Sequence, residues 1–492
     1  MPTLIFVAVV SGWNLQGWPG RVNDDEGIYV AEAWAMLVPH HISNYTYWYD
    51  HPFLGWAQLA GYIWLTDGFH RYSSAVMVGR EFMWVINLVS CAILYVVARR
   101  LRFRRTTATA AVLLFGLSPL AVYFHRMVFL DNIAVLWMLA ALALAASPKR
   151  SIGSAVGSGV CFAVAVLSKE TIAVLLPAVA WTVWQHTSPR TRAWNLGGFW
   201  ASFVLLVLGY PVFAALRGEL FPGKGHVSLL YSLYWQLAGR TGSGTVFNGH
   251  SGTHGLFLLW TGLDRWLLFG GVALLPFAFI ARRLRPTALA LGVQVVMLLR
   301  GGYIPYMYVT AMLPFCSLVI SGLADTCWKS GSFGRRGRHM VRLSRLSSTL
   351  VVSGRLAVLA FAAVFALFAI PSWFHTLTDQ SKINGDSAEL AATLWVEHRL
   401  PAGSVVVLDD YMWTDVKMHG KADPLSIWKV NGDPWVTKHV LPHGYKSIDY
   451  IVLIPQTSTT LSTLPTLATA WKHSVVIKDF GDGLTARKVI KN

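Results

Sequence analysis

The sequence predicts an α-helical polytopic membrane protein with a small C-terminal α/β domain outside the membrane. Three observations predict it. The mean hydropathy is +0.48. Only 13% of residues are charged, against 54% hydrophobic, about half the charge of an ordinary soluble domain, for which roughly 25% is usual. Apolar stretches near the ~20 residues needed to cross a bilayer recur along the first three quarters of the chain. This composition excludes a disordered, collagenous or disulfide-stapled protein. The formal net charge of +17 does not indicate nucleic-acid binding, because the bases lie in short runs between apolar spans.

On that basis spans are expected near 3–19, 80–98, 107–124, 128–146, 153–167, 171–186, 196–216, 263–281, 286–300, 303–323 and 355–371, about eleven helices in all. The stretches 153–167 and 171–186 form a tight hairpin or one broken helix, since only Ser168, Lys169 and Glu170 separate them. Basic runs follow alternate spans: Arg99 to Arg105, Lys149 and Arg150, Arg190 and Arg192, Arg282 to Arg285, and Arg335 to Arg345. By the positive-inside rule they mark the cytoplasmic side, which puts the N-terminus inside and the C-terminal domain outside. The membrane domain is then 1–371 with outer segments 20–79 and 217–262, and the soluble domain is 372–492. The second outer segment is rich in glycine and reads as a flexible loop. In the soluble domain a helix is expected at 386–398 and strands at 404–409, 448–454, 474–478 and 484–490. Cys91, Cys161, Cys316 and Cys327 lie in or just after apolar stretches, so no disulfide or zinc cluster is expected.

The candidate chemistry gathers at the outer helix ends. Asp24, Asp25 and Glu26 open a helix that runs on through Trp34. Asn23 or Asp24 is expected to cap it, with Asp24 in that role if the helix begins there. Another is free to act as a general base. Asp50 and His51 lie among aromatics in Tyr47-Trp48-Tyr49-Asp50-His51-Pro52. Asp131 is the lone acid of an apolar run, and an ionisable group so placed marks function or pairs with Arg126. Lys169, Glu170 and Arg300 repeat the pattern on later spans. His226, His250 and His254 lie in the glycine-rich segment. No cofactor and no metal site is assigned; were a divalent metal ion bound, Asp50, His250 and His254 are the candidate ligands, but no neighbouring acid or cysteine completes a set around the histidines. Asp409-Asp410-Tyr411-Met412-Trp413 reads either as a sugar-stacking group at a strand end or as an ordinary loop.

The ordered set Asp25-Glu26, His51-Pro52-Phe53-Leu54-Gly55 and Arg126 through Asp131 resembles the GT-C membrane glycosyltransferases, in particular the protein O-mannosyltransferase and lipid A aminoarabinose transferase superfamily. Phe53 departs from the family's second proline, and the C-terminal domain lacks β-trefoil character. The resemblance implies a polyprenyl-phosphate sugar donor, an outward-facing site and inversion at the anomeric carbon. In that register Asp25 is the catalytic base. Glu26, Asp50 and Asp131 orient donor or acceptor, and His51, Arg126, Lys169 and Arg300 bind the donor phosphate. The expected partners are the lipid-linked sugar, a glycan, lipid or protein acceptor, and membrane lipids, with no nucleic acid. A ligase or polymerase of lipid-linked oligosaccharides shares this donor class. A transporter or flippase would place its ionisable residues near span centres.

Overall fold

In a computed structural model, residues 2–20, 23–45, 49–330 and 355–491 are described. The basic run Arg335 to Arg345 and the aromatics Tyr47 and Trp48 lie outside them. The membrane part comprises α1 (Pro2–Gly12), α2 (Asp25–Leu37), α3 (Leu54–Thr66), α4 (Ala75–Arg100), α5 (Arg105–Leu117), α6 (Pro119–Arg126), α7 (Leu130–Ala145), α8 (Ile152–Ser168), α9 (Leu176–His186), α10 (Arg192–Leu216), α11 (Gly252–Ala273), α12 (Arg285–Leu299), α13 (Leu313–Ser330) and α14 (Arg355–Gln380).

Helices thus occupy each expected span, with different lengths. Among the described residues, 5 are long and apolar enough to cross a membrane: Ala75–Arg100, Arg192–Leu216, Gly252–Ala273, Tyr308–Lys329 and Arg355–Gln380. A sixth arises if α5 and α6, bent by 60°, count as one. That bend follows from Pro119, which has no N–H to continue the ladder. Ser118 accepts from the N–H of Ala121 and donates to Asp264 at 2.5 Å. Asp264 is itself the kink of α11, where its other oxygen takes the N–H groups of Trp266 and Leu267. Between α8 and α9, Lys169 is extended and a 3-10 turn from Glu170 to Leu175 follows, so the two expected stretches form a broken pair.

The two ends of the bundle differ in chemistry. At one end Asp325 takes Arg283 at 2.8 Å, Lys329 at 2.7 Å and Arg104 at 3.3 Å. Arg99 and Arg100 there cap the carbonyls of Phe103 and Ala143. Acids, His51 and Lys169 meet at the other end.

Beyond α14 come α15 (Ser387–Arg399), β1 (Val405–Leu408), α16 (Asp410–His419), β2 (Asp423–Ser426), β3 (Tyr450–Leu453), α17 (Pro465–Lys472), β4 (Ser474–Asp479) and β5 (Thr485–Val489). The sheet order is β2-β1-β3-β5-β4. β1 is parallel to β2 and β3, while β5 is antiparallel to β3 and β4. The expected helix and four strands are present, and β2 is added. The segment Asp409–Trp413 is not a loop: it opens α16, with Tyr411 and Trp413 buried.

The buried face of α16 packs on α2, in one hydrophobic core that includes Tyr29, Val30, Met83, Met412 and Trp413. The two helices touch at Gly27, where a Cβ would sit 2.0 Å from the carbonyl carbon of Asp410 and 2.1 Å from the nitrogen of Tyr411. Both are backbone atoms and cannot swing aside. Gly27→Ala should therefore separate α2 from α16. Limited proteolysis should then release a fragment beginning between 380 and 404 faster than from the unaltered protein; an unchanged rate would refute the contact.

Candidate functional site

The three consecutive acids at the start of α2 have three different fates. Asn23, rather than Asp24, supplies the cap, its side-chain oxygen accepting the N–H of Asp25 at 2.9 Å. This corrects the expected role of Asp24. Glu26 is buried and takes Arg80 in a two-pronged pair at 2.9 and 2.8 Å, and also accepts the N–H of Val128 at 3.1 Å. Its carboxylate is fully occupied by these bonds, so the role of orienting donor or acceptor gives way to a structural one. Successive residues on a helix point about 100° apart, so Asp25 faces another direction. It lies within electrostatic range of Lys169, His51, Asp50 and Arg240.

Around it a polar cluster is assembled from six segments. His51 Nδ1 lies 3.0 and 3.1 Å from the two carboxylate oxygens of Glu170, and Lys169 Nζ lies 2.6 Å from His51 Nε2. Lysine can only donate. Nε2 is then the acceptor, and Nδ1 carries the proton toward Glu170. Asp131 stands 4.0 Å from Lys169, so its partner is that lysine and not Arg126. Asp50 lies 3.5 Å from His51 and accepts from Gln236, whose oxygen takes Arg240 at 3.0 Å. Arg240 also stacks over Tyr303, 4.2 Å from the ring centroid. Tyr210 holds the carbonyl of His51 at 3.2 Å.

Burial raises the Asp25 carboxyl above the ordinary carboxylate value, and Lys169 and His51 only partly offset this. Burial would raise Glu170 too, but His51 and Lys169 beside it outweigh that and hold it at about 2. One carboxylate is thus fixed as an anion, while the other retains affinity for a proton.

Several expected site residues are elsewhere. The Arg126 guanidinium is buried and donates to the carbonyls of Ser11, Trp13, Asn14 and Trp18. It ties down the end of α1, which leaves it little capacity for a phosphate. Arg300 is exposed at the end of α12, beside the turn that leads to Tyr303. The expected loop around His250 and His254 is in part the first turn of α11. Ser251 caps it through the N–H of His254, whose ring contacts the carbonyl of Val246 at 2.6 Å, while His250 is exposed. Among the described residues no group of three or more His, Cys, Asp or Glu is placed to hold a metal ion.

Arg240, Glu170, Gln236 and Arg80 were not assigned roles from sequence. An arginine at the head of an apolar span is a signal that could have identified Arg80. Arg240 sits in a glycine-rich stretch and has no comparable mark. An apolar cavity of about 890 Å³ between α1, α5 and α14 contains none of this cluster; its lining suits hydrocarbon.

Asp24 turns toward the C-terminal sheet, where it accepts from Trp428 at 3.2 Å and meets Asp409 and Asp410. One oxygen of each of the three carboxylates is buried without a hydrogen bond. Burial, with Asp25 adding to it and Trp428 opposing, pushes Asp24 up to about 6. Burial and the Asp24 charge hold Asp409 and Asp410 well above the usual range. Raised folded-state values mean that stability is greatest while these groups are protonated and falls as pH rises through about 6. The thermal midpoint in detergent should therefore drop between mildly acidic and mildly alkaline buffer. Asp410→Asn should flatten that dependence; an equally steep dependence in the variant would exclude the cluster as its origin.

No curated protein sequence matches the chain. Residues 61–214 match the family described as dolichyl-phosphate-mannose-protein mannosyltransferase. The fold is similar to that of ArnT from Cupriavidus metallidurans bound to undecaprenyl phosphate, with TM-score 0.61 and 16% identity over 98% of this chain and 97% of that one. It is also similar to the Archaeoglobus fulgidus oligosaccharyltransferase in the apo form, with TM-score 0.55 and 14% identity over 92% of this chain and 69% of that one. The archaeal enzyme has also been solved with an inhibitory peptide and a dolichol-phosphate, a structure similar to this chain with TM-score 0.54. At 16% and 14% identity these are likenesses of fold.

Proposed function

We propose that this chain is an inverting glycosyltransferase of the GT-C type that moves a sugar from a polyprenyl-phosphate donor to an acceptor hydroxyl at the outer membrane face. The observation that carries the reading is a half-buried carboxylate, Asp25, within electrostatic range of Lys169, His51 and Arg240 beside a polar cluster in which Lys169, His51, Glu170 and Asp131 meet.

Asp25 takes the acceptor proton as the hydroxyl oxygen attacks the anomeric carbon. The bond from that carbon to the phosphate oxygen breaks on the opposite face, and its electron pair leaves with the lipid phosphate. Attack opposite to departure inverts the centre. Negative charge grows on the phosphate, so fixed cations matter most there. Lys169 and Arg240 are the cations of the cluster. Glu170 keeps the His51 ring turned, and Asp131 keeps Lys169 charged. The isoprenoid chain finds apolar surface among the spans, and the lipid-phosphate ligands of the two similar structures are consistent with this donor class. The ionisable groups sit at helix ends, since Asp131 opens α7 and Lys169 follows α8. That supports a transferase over a carrier with charges at mid-span.

Transfer from a panel of polyprenyl-phosphate monosaccharides tests the chemistry. Asp25→Asn keeps the size but cannot take a proton, so turnover should fall by roughly 10²–10⁴ with donor binding retained. Lys169→Ala should weaken donor use, whereas Asp24→Asn should lower turnover much less. Full turnover in Asp25→Asn would remove Asp25 as the base.

The basic end of the bundle supports an outer location for the site and the C-terminal sheet. A reporter active only in the cytoplasm, fused after Asn492, should stay silent. A strong signal would reverse the orientation.

A further inference from the structure

We infer that the cleft between the end of α2 and the C-terminal sheet is a second binding site, for an extended saccharide bearing negative groups. As part of an acceptor, such a chain would deepen the glycosyltransferase reading; the binding itself does not depend on it.

The cleft has a volume of about 1090 Å³ and is separate from the Asp25 cluster. Its aromatic wall is Trp34, Tyr45 and Trp435. Tyr45 is fixed at both ends of its hydroxyl, donating to the Pro424 carbonyl at 2.8 Å and accepting from Trp413 at 2.8 Å. Trp435 is 47% exposed although it is a large apolar side chain, and its ring lies 6.4 Å from Tyr45 and 5.1 Å from His439. Trp34 and Tyr45 are half-buried against Trp413, while Trp435 is held beside them yet left largely uncovered, a poor use of apolar surface unless something stacks on it. Flat C–H faces of sugar rings fit that requirement.

The rim adds charge selection. Arg217, Lys417 and His439 line the cleft, against the single acid Asp423. Lys417 is 3.8 Å from Asp423, both are exposed, and solvent screens such a pair. Arg217 is shared with Glu219. With Arg217 held by both oxygens of Glu219, the solvent-screened Lys417 is the cation open to a ligand, and it favours an anionic one over a neutral one. Aromatic walls with few polar groups of one sign are the ordinary make-up of a ligand pocket.

Geometry sets the ligand's length. Trp34 is nine residues beyond Asp25 on the same helix, which is about 14 Å along the axis. A monosaccharide cannot occupy the cleft and reach the base; a chain of several rings can.

The test is titration of the full-length protein in detergent with tetragalacturonate, read by quenching of tryptophan fluorescence and by calorimetry. Maltotetraose and a short polyglutamate peptide serve as controls. Binding is expected for the anionic saccharide alone, weakened roughly fivefold or more by Trp435→Ala, consistent with the loss of one stacking partner. Lys417→Gln should weaken it as well. Asp25→Asn should bind it normally while losing transfer, which separates failure of this site from failure of the catalytic reading. Equal binding of maltotetraose would overturn the charge selection, and equal binding of polyglutamate would overturn the saccharide class. Unchanged affinity in both Trp435→Ala and Lys417→Gln would remove the cleft as the site.

Discussion

The buried pair between Arg80 and Glu26 fixes the rest of the active end. Arg80 is 1% exposed and Glu26 is 1% exposed, so neither charge is solvated by water. Arg80 also donates to the carbonyls of Leu15 and Gln16, and Glu26 accepts from Val128. One ion pair therefore joins the end of α1, the start of α2, the span α4 and the turn before α7. Removing one partner of such a pair typically costs about 3–5 kcal/mol, because the other charge stays buried alone. Specificity is the larger consequence. With Glu26 fixed toward Arg80, α2 has one rotation about its axis. Asp25 must then face the Lys169 side, and Asp24 must face the C-terminal sheet.

Lys169 is the second point on which the site depends. It contacts His51, Asp131 and Glu170 in a region shielded from water. Charges in such a place interact more strongly than at the surface. The acids around Lys169 and Arg240 outnumber the cations, so an added anion must compete with carboxylates already present. Protonation of Asp25 would relieve part of that excess. In the role proposed for Asp25, proton uptake and departure of an anionic leaving group would be electrostatically favourable together, a property of the cluster that Asp25 alone would lack.

How much of this could be read in the sequence depended on what each residue's partners were. Asp25, His51, Asp131 and Lys169 were legible because a charge at the end of an apolar helix is conspicuous, and the structure gathers all four. Arg126 was equally conspicuous but misleading. Its partners are backbone carbonyls of α1, which leave no trace in side-chain composition. Glu26 could not be told from Asp25 without knowing that Arg80 lay across the helix. Arg240 was hidden because glycines around it suggested only flexibility. In the C-terminal segment the expected strands were found because they are runs of Val and Ile. β2 was passed over because Pro424 argues against a strand; proline is tolerated there since β2 is an edge strand, pairing only with β1. Asp409–Trp413 was misread because aromatic residues after a strand suit a surface loop as well as a buried helix start.

The position of α2 ties these features together. A single helix of 13 residues carries Asp25 at its start, the close contact with α16 at Gly27 and Trp34 near its end. A helix is stiff over that length, so the Asp25 cluster and the cleft cannot shift independently along it. The contact at Gly27 allows no side chain between the two backbones, and it places the C-terminal sheet against the same helix that carries Asp25. Had α16 packed one side chain's thickness further away, Tyr45 and Trp435 would stand further from Trp34 and the cleft would widen toward an open surface. The bare Cα of Gly27 is therefore as much a determinant of what can approach Asp25 as the charges around it.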